Sequence, residues 1–220
     1  MSKPLYDCVL YDFDGTLANS LPIIIKSQVE AYEKVLGRCD RSYEDLRSYV
    51  GLPLVDTFSM HDDETRDKLL EAYFESNFKY LYSDAIDLFD GVMDELQRLK
   101  VMGVKQGIVS SKRRVSLDVT LKAKGLEDFF DVLITKEDTT RHKPDPDPLF
   151  LAADRVGVDI KRTMYVGDAI GDIKSAINAG AASVFVNWSD MPHKEILDLH
   201  PTYVIDEMKE LSCIIFNSEL

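Results

Sequence analysis

No apolar run in this 220-residue sequence approaches the roughly 18 consecutive residues of a membrane span, so no membrane is expected as a partner. The opening stretch MSKPLYDCVLYD places Asp7 among apolar residues and lacks a cleavage pattern, so no secretory leader is expected there. Cysteine is scarce and scattered. Cys8, Cys39 and Cys213 form neither a Cys-x-x-Cys pair nor a Cys/His cluster, which argues against a disulfide framework and against a zinc site. Reduced thiols in a cytoplasmic protein are the expectation. Histidine is equally sparse, with His61, His142, His193 and His200 far apart. Positive charge is in deficit: 26 Lys and Arg against 39 Asp and Glu leave a net charge of −13. That sign argues against nucleic acid, whose phosphates want cations. An anionic ligand would have to be met by cations placed deliberately.

What is present suits a packed globular chain. Hydrophobic residues make up 45% of the sequence, ample for a core, and the length exceeds the roughly 150 residues of one typical domain. Residues 5–12, LYDCVLYD, read as a strand running into two aspartates. A helical block follows. LPIIIKSQVEAYEKVL carries Ile25, Val29, Tyr32 and Leu36 at helical spacing with Ser20 as N-cap, SYEDLRSYVG is a short helix ended by Gly51, and DETRDKLLEAYFESNFKYL sets Leu70, Phe74, Phe78 and Leu81 on one stripe. No strand pattern interrupts residues 20–82. From residue 92 helices and strands alternate: VMDELQRLK, then the strand VKQGIVSS; RVSLDVTLKAKG, then DVLIT. PLFLAADRVG follows, with Leu149, Ala152, Ala153 and Val156 on one face, then the strand RTMYVGD. GDIKSAINAG turns Ile173, Ala176 and Ile177 toward the core, and ASVFVNW and TYVI are two further strands. Such alternation implies a parallel sheet with helices on both faces, and the helical block is an insertion after its first strand.

Ligands of open α/β sheets bind beyond the carboxyl ends of the strands, and here those ends are polar. The first strand finishes in Asp12 and Asp14, VKQGIVSS in Ser110 and Ser111, and RTMYVGD in Asp168, with Asp172 four residues on; RHKPDPDP, after DVLIT, contributes Lys143. Parallel strands would bring all of these to one rim. Crowded carboxylates raise one another's pKa or recruit a cation. An all-oxygen set without His or Cys suits Mg²⁺, which often shares substrate phosphates. Lys143 is awkward as a metal ligand and natural as a partner for phosphate oxygens. Phosphoryl transfer asks for little more, with one carboxylate of the first pair attacking phosphorus and the other handling protons.

At these residues the chain resembles the haloacid dehalogenase-like superfamily, in its phosphatase branch, and is most similar to the phosphoglycolate phosphatase and pyrophosphatase-type subgroup. DFDGTLANS matches the first motif, the end of GIVSSK the second, KPDPDP the third, and YVGDAIGDIKSAINAG the fourth. The resemblance implies a Rossmann-like parallel sheet core, residues 1–15 and 85–220, with an α-helical cap domain, residues 16–84, inserted after the first strand. It implies a Mg²⁺-dependent phosphatase of a small phosphorylated metabolite, either a phosphoglycolate-like monoester or pyrophosphate, working through a phosphoaspartate on Asp12.

Asp14 would be general acid and then base, with its main-chain carbonyl a metal ligand. Ser110 would hydrogen-bond the transferring group, Lys143 would hold that group and the nucleophile, and Asp168 would be the second carboxylate on Mg²⁺. Asp172 would support it, and Phe13 and Gly15 would give backbone contacts. An acid at Asp14 favours phosphate release over halide release, since a halide needs no proton to leave. Asn19 departs from the aspartate many relatives carry before Ser20. RSYVGLPL, residues 47–54, resembles the cap loop that reaches the active site in relatives, which brings Arg47 toward an anionic leaving group.

Plainer readings exist for several of these. Arg47 would otherwise be a surface arginine, Asp172 a residue favoured by the helix dipole, Ser111 a helix cap, and Trp188 either core or pocket border. Two other functions share the motifs: a phosphosugar mutase of the same superfamily, disfavoured by the apolar LPIIIKS after the first motif, and a signalling receiver or silent phosphoaspartate-binding protein, which needs neither Asp14 nor a cap. A monomer is the default expectation and a dimer the alternative.

Overall fold

A computed structural model describes residues 3–50, 54–81 and 85–217. Strand β1, Cys8–Tyr11, is followed by the two-residue β2, Ala18–Asn19, and then by helices α1, Leu21–Leu36, α2, Tyr43–Ser48, α3, Leu54–Thr57, and α4, Asp63–Leu81. The chain returns through β3, Asp87–Leu88. It then alternates: α5, Val92–Val101; β4, Lys105–Val109; α6, Arg114–Ala123; β5, Val132–Ile134; α7, Asp147–Val156; β6, Thr163–Gly167; α8, Ile170–Ala179; β7, Ala182–Val186; α9, His193–Leu197; β8, Tyr203–Ile205; α10, Glu210–Phe216.

The main sheet has the order β5-β4-β1-β6-β7-β8 and every pairing in it is parallel. Strand β1 shows why the sheet needs two covered faces. Its residues alternate sides, Val9 and Tyr11 packing with α5, α6 and α10 residues such as Leu96, Leu117 and Leu211, and Cys8 and Leu10 packing with Leu149, Ala152 and Ala176 of α7 and α8. All four β1 residues are fully buried. The chain leaves β1 for β4 and β5 on one side and later crosses to β6 on the other. Order therefore reverses around β1, and the crevice at its carboxyl end is where such sheets bind ligands.

The helices between β2 and β3 build a core of their own. Leu21, Ile25, Ala31 and Tyr32 of α1 pack with Leu46, Phe58 and with Leu69, Ala72 and Tyr73 of α4. The two crossings into this block pair as an antiparallel ribbon, Ala18 with Leu88 and Asn19 with Asp87. Among the described residues no helix is long and apolar enough to cross a membrane.

Several expectations need correction. Leu36 is 45% and Ile177 47% exposed, so neither faces the core. The buried line of α4 runs through Leu69, Ala72, Tyr73, Ser76, Asn77 and Leu81; of the expected Leu70–Phe74–Phe78–Leu81 stripe only Leu81 is fully buried. The difference follows from serving two cores: Phe78 and Leu81 pack toward the sheet while Leu69 and Tyr73 pack on α1. Ser20 precedes α1 as expected, but its side chain makes no capping hydrogen bond. Helix α2 ends at Ser48, while the expected stop at Gly51 lies outside the described residues, as does the far boundary of the block at residue 84. Strands β2 and β3, and helices α3, α9 and α10, had no clear signal in the sequence.

Gly107 of β4 marks how tightly β1, β4 and β5 fit. A Cβ there would lie 2.4 Å from Val132 Cγ1 and 2.9 Å from Leu10 Cδ2. Gly107→Ala is expected to lower unfolding stability by about 1–3 kcal/mol through overpacking. The check is a urea titration, where the midpoint should drop with the slope unchanged; an unshifted midpoint would contradict the packing described.

Candidate active site

The opening aspartates lie where β1 leaves the sheet. Asp12 N still donates to Val166 O at 2.8 Å, so the chain remains paired to β6 one residue past the strand. Alternation then turns Phe13 into the main core, fully buried, while Asp12 and Asp14 both line the crevice. Gly15 makes the turn at φ +85°, and a Cβ on it would sit 2.2 Å from Asp168 Oδ2. The glycine is thus required twice, for its left-handed backbone and for the approach of the loop to Asp168. Gly167, at the end of β6, is equally constrained, since a Cβ there would fall 2.3 Å from Asp172 Cβ.

Three carboxylates converge. Asp12, Asp168 and Asp172 are 7%, 6% and 1% exposed, and each offers a carboxylate oxygen within 4.8 Å of the others. Lys143 reaches them from the loop before α7, its Nζ donating to Asp12 Oδ1 at 2.9 Å and Asp172 Oδ1 at 2.7 Å. Asp172 is otherwise committed: Oδ2 accepts from Ala169 N at 3.0 Å, and the Tyr165 hydroxyl lies 3.0 Å from Oδ1. Asp168 accepts from the hydroxyls of Ser189, at 2.8 Å, and Thr16, at 3.4 Å. Ser110 is buried and Ser111 half-buried beside the same crevice, and Ser110 Oγ accepts from Lys112 N at 3.2 Å.

Burial pushes the Asp12 carboxyl up to about 7; Lys143 opposes this, while the charges of Asp172 and Asp14 add to it. Asp168 is held well above the usual carboxylate range, first by burial and then by Asp172 and Asp12. Burial works against the charge on Lys143, but Asp12 and Asp172 together hold its pKa well above the ordinary lysine value. With all four groups ionised, three carboxylates and one ammonium leave two negative charges in a dry place. A divalent cation with oxygen ligands matches that excess, so the residues fit Mg²⁺.

The structure brings Asp12, Asp14, Ser110, Ser111, Lys143, Asp168 and Asp172 to one cavity of about 1010 Å³, counting its open mouth. Gly15 does not line this cavity but lies against the Asp168 carboxylate. Arg47 is elsewhere: its guanidinium donates to Asp190 O at 2.7 Å, clasping α2 to the loop before α9, and it does not line this cavity. Trp188 packs against the core and donates through Nε1 to Thr16 O at 3.2 Å.

Three site residues escaped the sequence reading. Lys112 Nζ pairs with both carboxylate oxygens of Asp14, at 3.0 and 3.1 Å; it stands inside the quoted GIVSSK yet carries no role by spacing alone. Thr16 lies inside DFDGTLANS in the same way. Ser189 follows the end of β7, and the rule that strand ends carry site residues would have found it.

The chain is similar to known proteins along nearly its whole length. Residues 9–186 match the family model described as haloacid dehalogenase-like hydrolase. A protein of Caldanaerobacter subterraneus subsp. tengcongensis named "Putative pyrophosphatase PpaX" is 37% identical over 207 residues, covering 94% of this chain and 93% of its own. The "Pyrophosphatase PpaX" of Bacillus pumilus is 32% identical over 216 residues, covering 98% and 99%. A crystal structure from Bacteroides fragilis, named "Putative haloacid dehalogenase-like hydrolase", superposes with a TM-score of 0.85 at 28% identity, covering 94% of this chain and 99% of its own. The chain belongs to the haloacid dehalogenase-like hydrolase family.

The raised carboxyls have a consequence for stability. Both Asp12 and Asp168 keep a proton more firmly folded than unfolded, so the native state binds more protons above the ordinary carboxylate pKa. The Asp12 contribution is full below the ordinary carboxylate pKa and is lost as pH rises through its folded value of about 7, and the Asp168 contribution has the same sign. In chelator, the unfolding midpoint should fall between about pH 4 and about pH 7, less steeply in Asp168→Asn. A wild-type midpoint that climbs over that interval would contradict the cluster's electrostatics.

Proposed function

We propose that the chain is a Mg²⁺-dependent phosphatase of a small phosphorylated metabolite, acting through a phosphoaspartate on Asp12. The observation that carries this reading is Lys143 seated between Asp12 and Asp172, with Asp168 adjoining and Asp14 one turn of chain away in the same cavity. The names of the PpaX relatives point to pyrophosphate; a phosphomonoester such as a phosphoglycolate-like compound is served by the same chemistry.

Asp12 would attack phosphorus through a carboxylate oxygen, forming an O–P bond as the bond to the leaving oxygen breaks. Lys143 fixes the nucleophile through Oδ1 and draws in phosphoryl oxygens. Ser110 offers a hydroxyl to the same group, with Ser111 beside it. Asp14 would give its proton to the leaving oxygen and take one from the water that opens the phosphoaspartate. Asp12, Asp168 and the main-chain carbonyl of Asp14 would hold Mg²⁺, which supplies charge neutralisation at the phosphoryl group. Asp172 would keep Lys143 and the α8 N-terminus in place. Residues 16–84 would act as a cap over this core, 1–15 and 85–220, closing the cavity against bulk water. The separate packing of α1 and α4 and the paired ribbon at its base support that division.

The test is hydrolysis of p-nitrophenyl phosphate with and without Mg²⁺. Wild-type turnover should require the ion, Asp12→Asn should abolish it, and Asp14→Asn should lower kcat by about 10²–10⁴-fold. Turnover that is indifferent to Mg²⁺, or that survives Asp12→Asn, would sink the proposal.

A further inference from the structure

Gln28 of α1 lines the active-site cavity while being 1% exposed, and no described residue donates a hydrogen bond to its side-chain oxygen. A carboxamide oxygen buried in a dry wall without a partner is costly, and native structures rarely tolerate one without a reason. The polar groups beside it are otherwise engaged. Asn77 Nδ2 donates to Ser27 Oγ at 3.3 Å, and that hydroxyl donates onward to Ile23 O at 2.7 Å. Packing does not call for an amide either, because the same helix buries Leu21, Ile23 and Ile25 nearby.

The wall around Gln28 has a definite chemistry. Among the described lining residues contributed by α1 to α4, none is charged: Ile24, Leu54 and Phe74 are apolar, and Thr57, Tyr73 and Asn77 are neutral and polar. The cations lie on the sheet side. There Lys112 is paired with Asp14, and Arg113 sits over the Phe74 ring and 3.7 Å from Glu137. Lys136 lines the cavity on that same side, without an ion-pair partner among the described residues. A dianionic leaving group gains nothing from the helical wall. An uncharged carbon chain carrying hydroxyls satisfies both its apolar and its amide-bearing parts.

Resting on the phosphatase reading above, we propose that Gln28 is a specificity-determining residue that hydrogen-bonds the leaving group, and that the substrate is a phosphomonoester of a hydroxyl-bearing organic alcohol. The carboxamide both donates and accepts, so either end can serve a hydroxyl. A site built to pair a hydroxyl rejects an analogue lacking it, because its own buried group is then left unpaired.

The experiment compares kcat/KM for glycerol 1-phosphate, n-propyl phosphate and pyrophosphate, in wild type and in Gln28→Met, which keeps the side-chain length and removes the amide. Wild type should prefer glycerol 1-phosphate to propyl phosphate by about 10-fold or more, the worth of one hydrogen bond, and Gln28→Met should collapse that ratio toward unity. The wild-type ratio needs no variant, so it stands as a test whatever the folding of Gln28→Met. A wild-type ratio near unity, a ratio untouched in folded Gln28→Met, or faster hydrolysis of pyrophosphate than of glycerol 1-phosphate would overturn the assignment while leaving the phosphatase reading intact. Failure of wild type to hydrolyse any of the three with Mg²⁺ would overturn both.

Discussion

The ammonium of Lys143, held between two buried carboxylates, is the contact on which the rest of this molecule turns. Without it Asp12 and Asp172 would face each other in a dry crevice at mutual cost. With it, and with all three carboxylates ionised, two negative charges still remain, and the surroundings are arranged around that excess. Thr16 and Ser189 present hydroxyls to Asp168. The α8 N-terminus is tied down by Asp172 itself. Gly15 and Gly167 remove the two Cβ atoms that would keep the carboxylates apart. None of these features helps a core to pack; all make sense around a cation and an anionic substrate.

The fold divides labour in a way the packing explains. The sheet is buried on both faces, so its strands are fixed in register and their carboxyl ends can hold side chains to within tenths of an ångström. Helices α1 and α4 pack mainly on each other and on Leu46 and Phe58, joined to the sheet domain by a ribbon of two residue pairs. The cavity takes its charged wall from the sheet side and its neutral wall from the helical side.

Much of this was legible from the sequence because strand ends obey topology. Once β1, β4 and β6 are recognised as parallel, Asp12, Ser110 and Asp168 must share an edge, whatever the details. Lys143 was legible as a lysine in the Pro- and Asp-rich loop RHKPDPDP that follows a strand end. Side-chain pairing was not. Nothing in the spacing of SSK says that Lys112 turns back to Asp14, because that contact depends on how the loop after β4 folds over the loop after β1. Helix rotation also escaped: α4 has apolar residues on more than one side, and which of them is buried depends on serving the helical core and the sheet together. Arg47 was placed from loop resemblance, and its partner proved to be the carbonyl of Asp190 in a distant segment.

Calorimetric titration of Mg²⁺ into chelator-stripped protein tests the central claim most directly, since it reads the charge balance without any substrate. One ion should bind per chain near neutral pH, with protons released to the buffer because the Asp12 carboxyl lies at about 7, and Asp168→Asn should remove the signal. Absence of binding in wild type, or binding of equal strength in Asp168→Asn, would contradict the account.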